Sequence, residues 1–404
     1  MAGLPGSQRF LNMKFITIIM VVWCLAVGCI KPQAVPVNEA LREREDEQML
    51  WRRVEKEQEV LDASGLLYPD PALESYLNRI AKKLQAHSIA PDFRFQVKVL
   101  KDPNLNAFAF PNGVIYLHTG ILARMDNEAQ LAALLSHEMT HCPHRHSLRV
   151  IRSVSDRPAY VAAIEQTLAR ISMVQQVARV LGLTGSMAAV TGYTRELETE
   201  ADLIGLDLMA KANYDARETL KLFDHLQEEI EAEGDEEPFF FGTHPNVAQR
   251  IENATQWLAG SFSADNNYVK NAEAFQLRTR DMVLVNVDLD LRLGRFEIAR
   301  KSLEKYLKTR PDDARAYYLY GELLRQRGRK DDAKAAVSYF KKSIALDPSL
   351  PEPHKAMGLI LYKEGDKHLA KQFFESCLRL SPNDSDSAYI RGYLKNCQAN
   401  GENS

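Results

Sequence analysis

Residues 127–146 read NEAQLAALLSHEMTHCPHRH, and the fold turns on how this stretch is placed. Glu128 to Ser136 is built from strong helix formers, and Asn127 with Gln130 three residues later has N-cap spacing. A helix carried on through His137 and His141 puts positions i and i+4 on one face, so both imidazoles can meet a single cation. Glu138 sits beside them, where a carboxylate can take a proton from an activated water. Pro143 predicts a kink past this point, which makes His144 and His146 surface or packing residues. Cys142 directly follows the second histidine, points away from that face and reads as a small packing residue.

A hydrolytic metal site takes three protein ligands and leaves one position for water. A third ligand from the same segment, a His ten residues after His137 reached through a Gly seven residues after it, is excluded: those positions are Ser147 and His144. A second helix supplies the alternative. From Thr194 onward the chain is apolar-periodic through Leu203, Ile204, Leu206, Leu208 and Met209, and Glu198 and Asp202 share one face at i and i+4. One of them would ligate the metal, and the other would hold a ligand imidazole through its second nitrogen.

Further motifs occur in order along the same region. Asn106 to Gly113 runs into Val114 to Gly120; His137-Glu138-Met139-Thr140-His141 continues to Arg145-His146; Glu198 is followed by Ala201-Asp202; and Thr243-His244-Pro245 precedes Arg250-Ile251. Over roughly residues 60–258 the chain therefore resembles the M48 zinc metallopeptidases, a gluzincin group. The resemblance implies a mainly α fold with a small β-sheet and one Zn2+ per chain, held by His137, His141 and Glu198. It also implies Asp202 as the partner of a ligand, Glu138 as general base, and His244 near the metal. His244 would be either a resting fourth ligand or a donor to the transition-state oxyanion. His87, His118, His225, His354 and His368 have no ligand spacing. Ala107 to Leu117 reads either as an edge strand able to pair with an extended substrate or as an ordinary internal strand.

The carboxy-terminal third repeats. Pro311, Pro348 and Pro382, Gly294, Gly328 and Gly365, and Ala299, Ala333 and Ala370 recur at spacings of 34 and 37 residues. This is similar to the tetratricopeptide repeat, whose helix pairs need a turn glycine, a small contact residue and a closing proline. The middle repeat carries about three extra residues, expected near Ala335 to Ser338, and Val287 stands where the first repeat should have glycine. Ser387 to Gln398 reads as a closing helix. The expected architecture is a gluzincin-type domain followed by an α-solenoid whose concave face binds peptide or protein.

At the other end, Arg9 and Lys14 precede an apolar run from Phe15 to Ala26, and Leu25-Ala26-Val27-Gly28-Cys29 is close to a bacterial lipobox. Cys29 is the expected lipidation site, and Ile30 after it favours the outer membrane, facing the periplasm. The expected division is a signal over 1–29, a tether over 30–45, the peptidase domain over 46–262 and the repeats over 263–400. Asn38 to Leu61 predicts a heavily charged helix packed on the peptidase domain. Tyr160 to Gly192 reads as a helical hairpin over the site or a membrane-touching surface. Glu228 to Gly242, with Phe239, Phe240 and Phe241, reads as a lid or as core packing. Cys377 and Cys397 suit either a disulfide or two packed thiols.

A chain of 404 residues with 45% hydrophobic content and net charge -3 is long enough for two or three domains and gives no support for nucleic-acid binding. The expected function is cleavage of unfolded or misassembled envelope proteins by metal-activated water. The repeats would engage a protein partner, for which the resemblance implies the outer-membrane assembly machinery. The rival is a periplasmic chaperone that acts through its repeats with a latent zinc site.

Overall fold

A computed structural model describes residues 45–154, 193–233, 244, 247–262 and 267–398. The expected signal with Cys29, the tether, the 160–192 hairpin and the phenylalanine lid lie outside the described residues.

The described residues begin with helix α1 (Glu45–Ala63), and α2 (Pro71–Gln85) follows with Asp70 capping its first turn by accepting from the amides of Ala72 and Leu73. Three short strands come next: β1 (Gln96–Leu100), β2 (Ala107–Ala109) and β3 (Val114–His118). β3 is central, parallel to β1 and antiparallel to β2. Among the described residues β2 lies at the edge and β3 is internal, so the segment Ala107 to Leu117 divides between the two sequence readings. The charged helix α1 lies on this sheet: Val54 and Leu61 are buried against Phe108, Phe110 and Tyr116. Its Glu47 pairs with the equally buried Arg145 at 3.0 Å.

After the short α3 (Thr119–Arg124) comes the metal-motif helix α4 (Glu128–His141), every residue of which is buried. A helix with no solvent face needs its polar groups satisfied one by one. Asn127 Oδ1 caps it by accepting from the Gln130 amide at 3.0 Å. The Glu128 carboxylate, in the first turn where the helix dipole favours negative charge, accepts from Tyr76, Tyr214 and Asn271. The helix does not kink at Pro143. It stops at His141, the backbone turns through Arg145 at φ 54°, and α5 (His146–Val154) starts afresh.

The second motif helix, α6 (Arg195–Lys211), crosses α4 closely. A methyl group on Gly205 would sit 3.1 Å from Ser136 Oγ and 3.2 Å from the His137 amide nitrogen, closer than an ordinary van der Waals contact, so glycine suits this approach. Ala201, one turn earlier, is fully buried. α7 (Glu218–Glu233) and α8 (Val247–Ser261) pack around this pair. Among the described residues, no helix is long and apolar enough to cross a membrane.

The long helix α9 (Ala272–Arg292) belongs to two cores. Phe275 and Met282 pack with the peptidase core, whereas Leu284, Val287 and Leu291 begin the next. Helix α9 pairs with α10 (Phe296–Thr309); α11 (Ala314–Arg327) pairs with α12 (Asp332–Leu346) and α13 (Pro351–Glu364) with α14 (Lys367–Leu380), and α15 (Ser387–Gln398) closes the solenoid. Gly321 faces the ring of Phe340 and Gly358 that of Phe374; a Cβ at either would clash at 2.4 and 2.6 Å. The three extra residues of the middle repeat are not where sequence placed them. One residue separates Gly294 from Phe296 and Gly365 from Lys367, but three separate Gly328 from Asp332, and α12 is 15 residues against 14 for its counterparts. The surplus thus widens the turn, where Asp331 adopts a left-handed φ of 69°. Cys377 and Cys397 are both buried free thiols.

The solenoid is fastened to α3. Lys305 of α10 donates to the carbonyls of Arg124 and Met125, both at 3.0 Å, and so caps the helix end. Arg124 reaches the fully buried Asp290 at 3.3 Å.

Glu218 braces the start of α4, accepting from Asn127 at 2.7 Å, Gln130 at 3.1 Å, Lys221 at 2.7 Å and Lys270 at 2.8 Å. Burial alone would raise its pKa, but these donors outweigh it and hold the carboxyl at about 2. A depressed carboxylate adds stability above its unfolded pKa, about 4.3, and that stability is lost as pH falls through the folded value. Glu218→Gln should therefore be less stable than wild type at pH 7. In urea titrations across pH, the difference should shrink between about pH 5 and about 2.

Candidate metal centre

α4 contributes His137, Glu138 and His141, α6 contributes Glu198 and Asp202, and His244 approaches from the segment before α8. Donor atoms of His137, His141, Glu198 and His244 all lie within 4.8 Å of one another, and all four residues are buried. His137 Nε2 lies 3.1 Å from His141 Nε2 and 3.1 Å from His244 Nδ1. Glu198 Oε2 is 3.5 Å from His137 Nε2, and Oε1 is 3.8 Å from His141 Nε2. His244 Nδ1 is 3.1 Å from both Glu198 oxygens.

These separations suit a tetrahedral ion. With bonds of 2.0–2.1 Å, the donors around zinc lie about 3.3 Å apart. The charge fits as well. Burial favours the protonated form of Glu198, yet the imidazoles of His244 and His137 hold its carboxyl below the usual range. Burial and the neighbouring imidazoles hold His141 neutral, the form that ligates metals. Among the described residues, the buried carboxylates Glu138, Glu198 and Asp202 outnumber the buried guanidinium of Arg250, and a divalent cation offsets the surplus negative charge.

Glu138 stands apart from the donor set. Its Oε1 has no hydrogen-bond partner among the described residues and lies 3.4 Å from His244 Nε2. A buried carboxylate oxygen left open beside a metal-binding cluster is placed to receive a proton. Asp202 does not join the cluster. It accepts from His137 Nδ1 at 2.9 Å and takes two bonds from Arg250, at 2.9 Å from Nε and 2.8 Å from Nη2. The Arg250 fork fixes the carboxylate, the carboxylate fixes the imidazole, and His137 Nε2 is left facing the cluster.

Two features escaped sequence reading. Tyr193 stacks on His141 with ring centroids 3.8 Å apart and 12° between the planes, and its hydroxyl bonds Ser147 at 3.0 Å. Nothing in its spacing marks it. Arg250 does carry a sequence signal, since it stands in the motif that follows His244, but that spacing does not show that it forks onto Asp202. Of the two readings for His144 and His146, packing is the one that holds: they are 8% and 0% exposed. Cys142 turns away as expected, its thiol donating to the Phe110 carbonyl at 3.3 Å.

Residues 70–258 match the family model "Peptidase family M48", and residues 284–351 and 356–384 match tetratricopeptide repeat models. The chain carries an M48 peptidase domain followed by tetratricopeptide repeats. It is 27% identical over 315 residues to the beta-barrel assembly-enhancing protease of Escherichia coli, covering 76% of this chain and 60% of that one. It is 30% identical over 190 residues to the mitochondrial metalloendopeptidase OMA1 of Schizosaccharomyces pombe, covering 45% and 52%. The beta-barrel assembly-enhancing protease of Yersinia pestis is 28% identical over 199 residues, covering 48% and 40%. The chain thus spans 40–60% of the length of these relatives.

Removing Asp202 would leave the Arg250 guanidinium buried without its fork partner. Asp202→Ala should lower the unfolding free energy of the metal-free protein by about 3 kcal/mol, measured by urea denaturation in the presence of chelator.

Proposed function

We propose that the chain is a zinc-dependent endopeptidase in which His137, His141 and Glu198 hold the ion and Glu138 is the general base. The observation that carries this is the open, buried Glu138 carboxylate oxygen next to a donor cluster of zinc-site dimensions. His/His/Glu ligation favours zinc among the common divalent ions. Bound there, zinc would acidify water toward neutral pH and polarise a carbonyl.

The chain's own groups supply the rest. Glu138 accepts a proton as water attacks the peptide carbonyl and delivers it to the departing amine. His244 is drawn toward its protonated form by Glu198 and Glu138 despite its burial, so it suits a donor to the developing oxyanion. Its Nδ1 also lies at the fourth corner of the donor set, so it suits a resting ligand that withdraws when substrate enters. The edge strand β2 offers backbone groups to an extended chain, which favours unfolded substrates over compact ones.

The relatives named for β-barrel assembly support a substrate class of misassembled or unfolded envelope proteins, with the repeats engaging a protein partner such as the outer-membrane assembly machinery. On this reading Cys29 carries a lipid anchor to the outer membrane from the periplasmic side, and the chain divides into peptidase and repeat domains near residues 262 and 263.

The test uses the chain lacking residues 1–29, with casein as an unfolded substrate. Glu138→Gln should lose about 10²–10⁴-fold in rate, and chelator should abolish cleavage. His244→Ala should cut faster than wild type if His244 restrains the site, and slower if it acts only on the oxyanion. Full cleavage by Glu138→Gln, or none by any version despite bound zinc, would overturn the reading in favour of a chaperone acting through its repeats.

A further inference from the structure

A second group lies on the far side of His141: the buried His144 and His146 with the half-buried Glu200, whose donor atoms also fall within 4.8 Å of one another. The mechanism above uses none of them. His146 is fully buried, and its Nδ1 sits 2.8 Å from His141 Nδ1. Its Nε2 has no hydrogen-bond partner among the described residues and faces Glu200 Oε2 at 3.6 Å. Glu200 is itself held on both oxygens: Oε1 bonds His144 at 2.7 Å and Oε2 accepts from Arg149 Nη1 at 2.9 Å.

The hydrogen-bond pattern assigns the protons. His141 presents Nε2 to the donor cluster, so its Nδ1 carries hydrogen and donates to His146 Nδ1. The hydrogen of His146 is then on Nε2, the nitrogen 3.6 Å from Glu200 Oε2. We propose that His146 and Glu200 are positioning residues that fix the tautomer and ring orientation of His141. They do for His141 what Asp202 and Arg250 do for His137.

The two arms are built alike, each a carboxylate backed by a guanidinium, Asp202 with Arg250 and Glu200 with Arg149. Three carboxylates of α6 then serve one centre: Glu198 faces the donors, Asp202 steadies one imidazole and Glu200 steadies the other through His146. A second metal ion at His144, His146 and Glu200 fits less well. Arg149 already puts a positive charge on Glu200, and His146 Nδ1 is engaged by His141.

The inference rests on the reading that His141 ligates zinc through Nε2. It is tested on the full chain by zinc dissociation constants from competition with a chromophoric chelator. Each variant's metal-free melting midpoint is recorded alongside. His146→Leu should weaken zinc by about 10–100-fold. His146→Asn places an oxygen where Nδ1 stood and should recover most of that loss. Glu200 is about a third exposed, so Glu200→Ala can fold even if His146→Leu cannot. It should weaken zinc by about tenfold and alter the visible absorption of the cobalt-substituted protein.

Wild-type affinity in both His146→Leu and Glu200→Ala would overturn the proposal, as would an Asn variant no better than Leu. A second zinc equivalent in wild type that Glu200→Ala loses would overturn it in favour of a second metal site. Wild type that binds no zinc would instead overturn the reading of the metal centre itself.

Discussion

Buried lone pairs that converge on one point repel, and the structure around this centre exists to hold them there. Three imidazole nitrogens and a carboxylate share a volume small enough for one ion. Each must be aimed from behind, because a side chain free to rotate would turn its lone pair elsewhere. That constraint explains the close crossing at Gly205, which brings the helix carrying Glu198 onto the helix carrying His137 and His141. It also accounts for the fully buried metal-motif helix, capped by Asn127 and braced by Glu128 and Glu218.

The same economy extends outward. The Arg250 fork serves Asp202 and lies 3.6 Å from Glu198, so one guanidinium offsets charge at two carboxylates. The repeat solenoid is joined to the peptidase core by a shared helix, a buried Asp290–Arg124 pair and the Lys305 cap. A partner bound by the repeats would thus be presented in a set relation to the helix next to the sheet, since these contacts are side-chain specific rather than a loose linker.

Much of this was legible in sequence because helical spacing is a strict rule. His137 with His141, and Glu198 with Asp202, share faces by i,i+4 geometry, and the glycine and proline periods announced the repeats. What was not legible depended on chain reversals and three-dimensional proximity. His141 and His146 are five residues apart across a helix break, where the left-handed Arg145 swings one ring back onto the other. Glu200 meets them from another helix, and Tyr193 meets His141 by stacking, which has no spacing signature. The extra residues of the middle repeat were misplaced because a widened turn and a lengthened helix give the same period.

On the proposed function, one zinc ion sits on two histidines and a glutamate from two crossed helices, and zinc K-edge X-ray absorption on the metal-loaded chain reads this out. One equivalent of zinc is expected, with nitrogen and oxygen neighbours at about 2.0–2.1 Å, at least two of them imidazole, and no sulfur. A sulfur neighbour at about 2.3 Å, or a shell with fewer than two imidazoles, would contradict it.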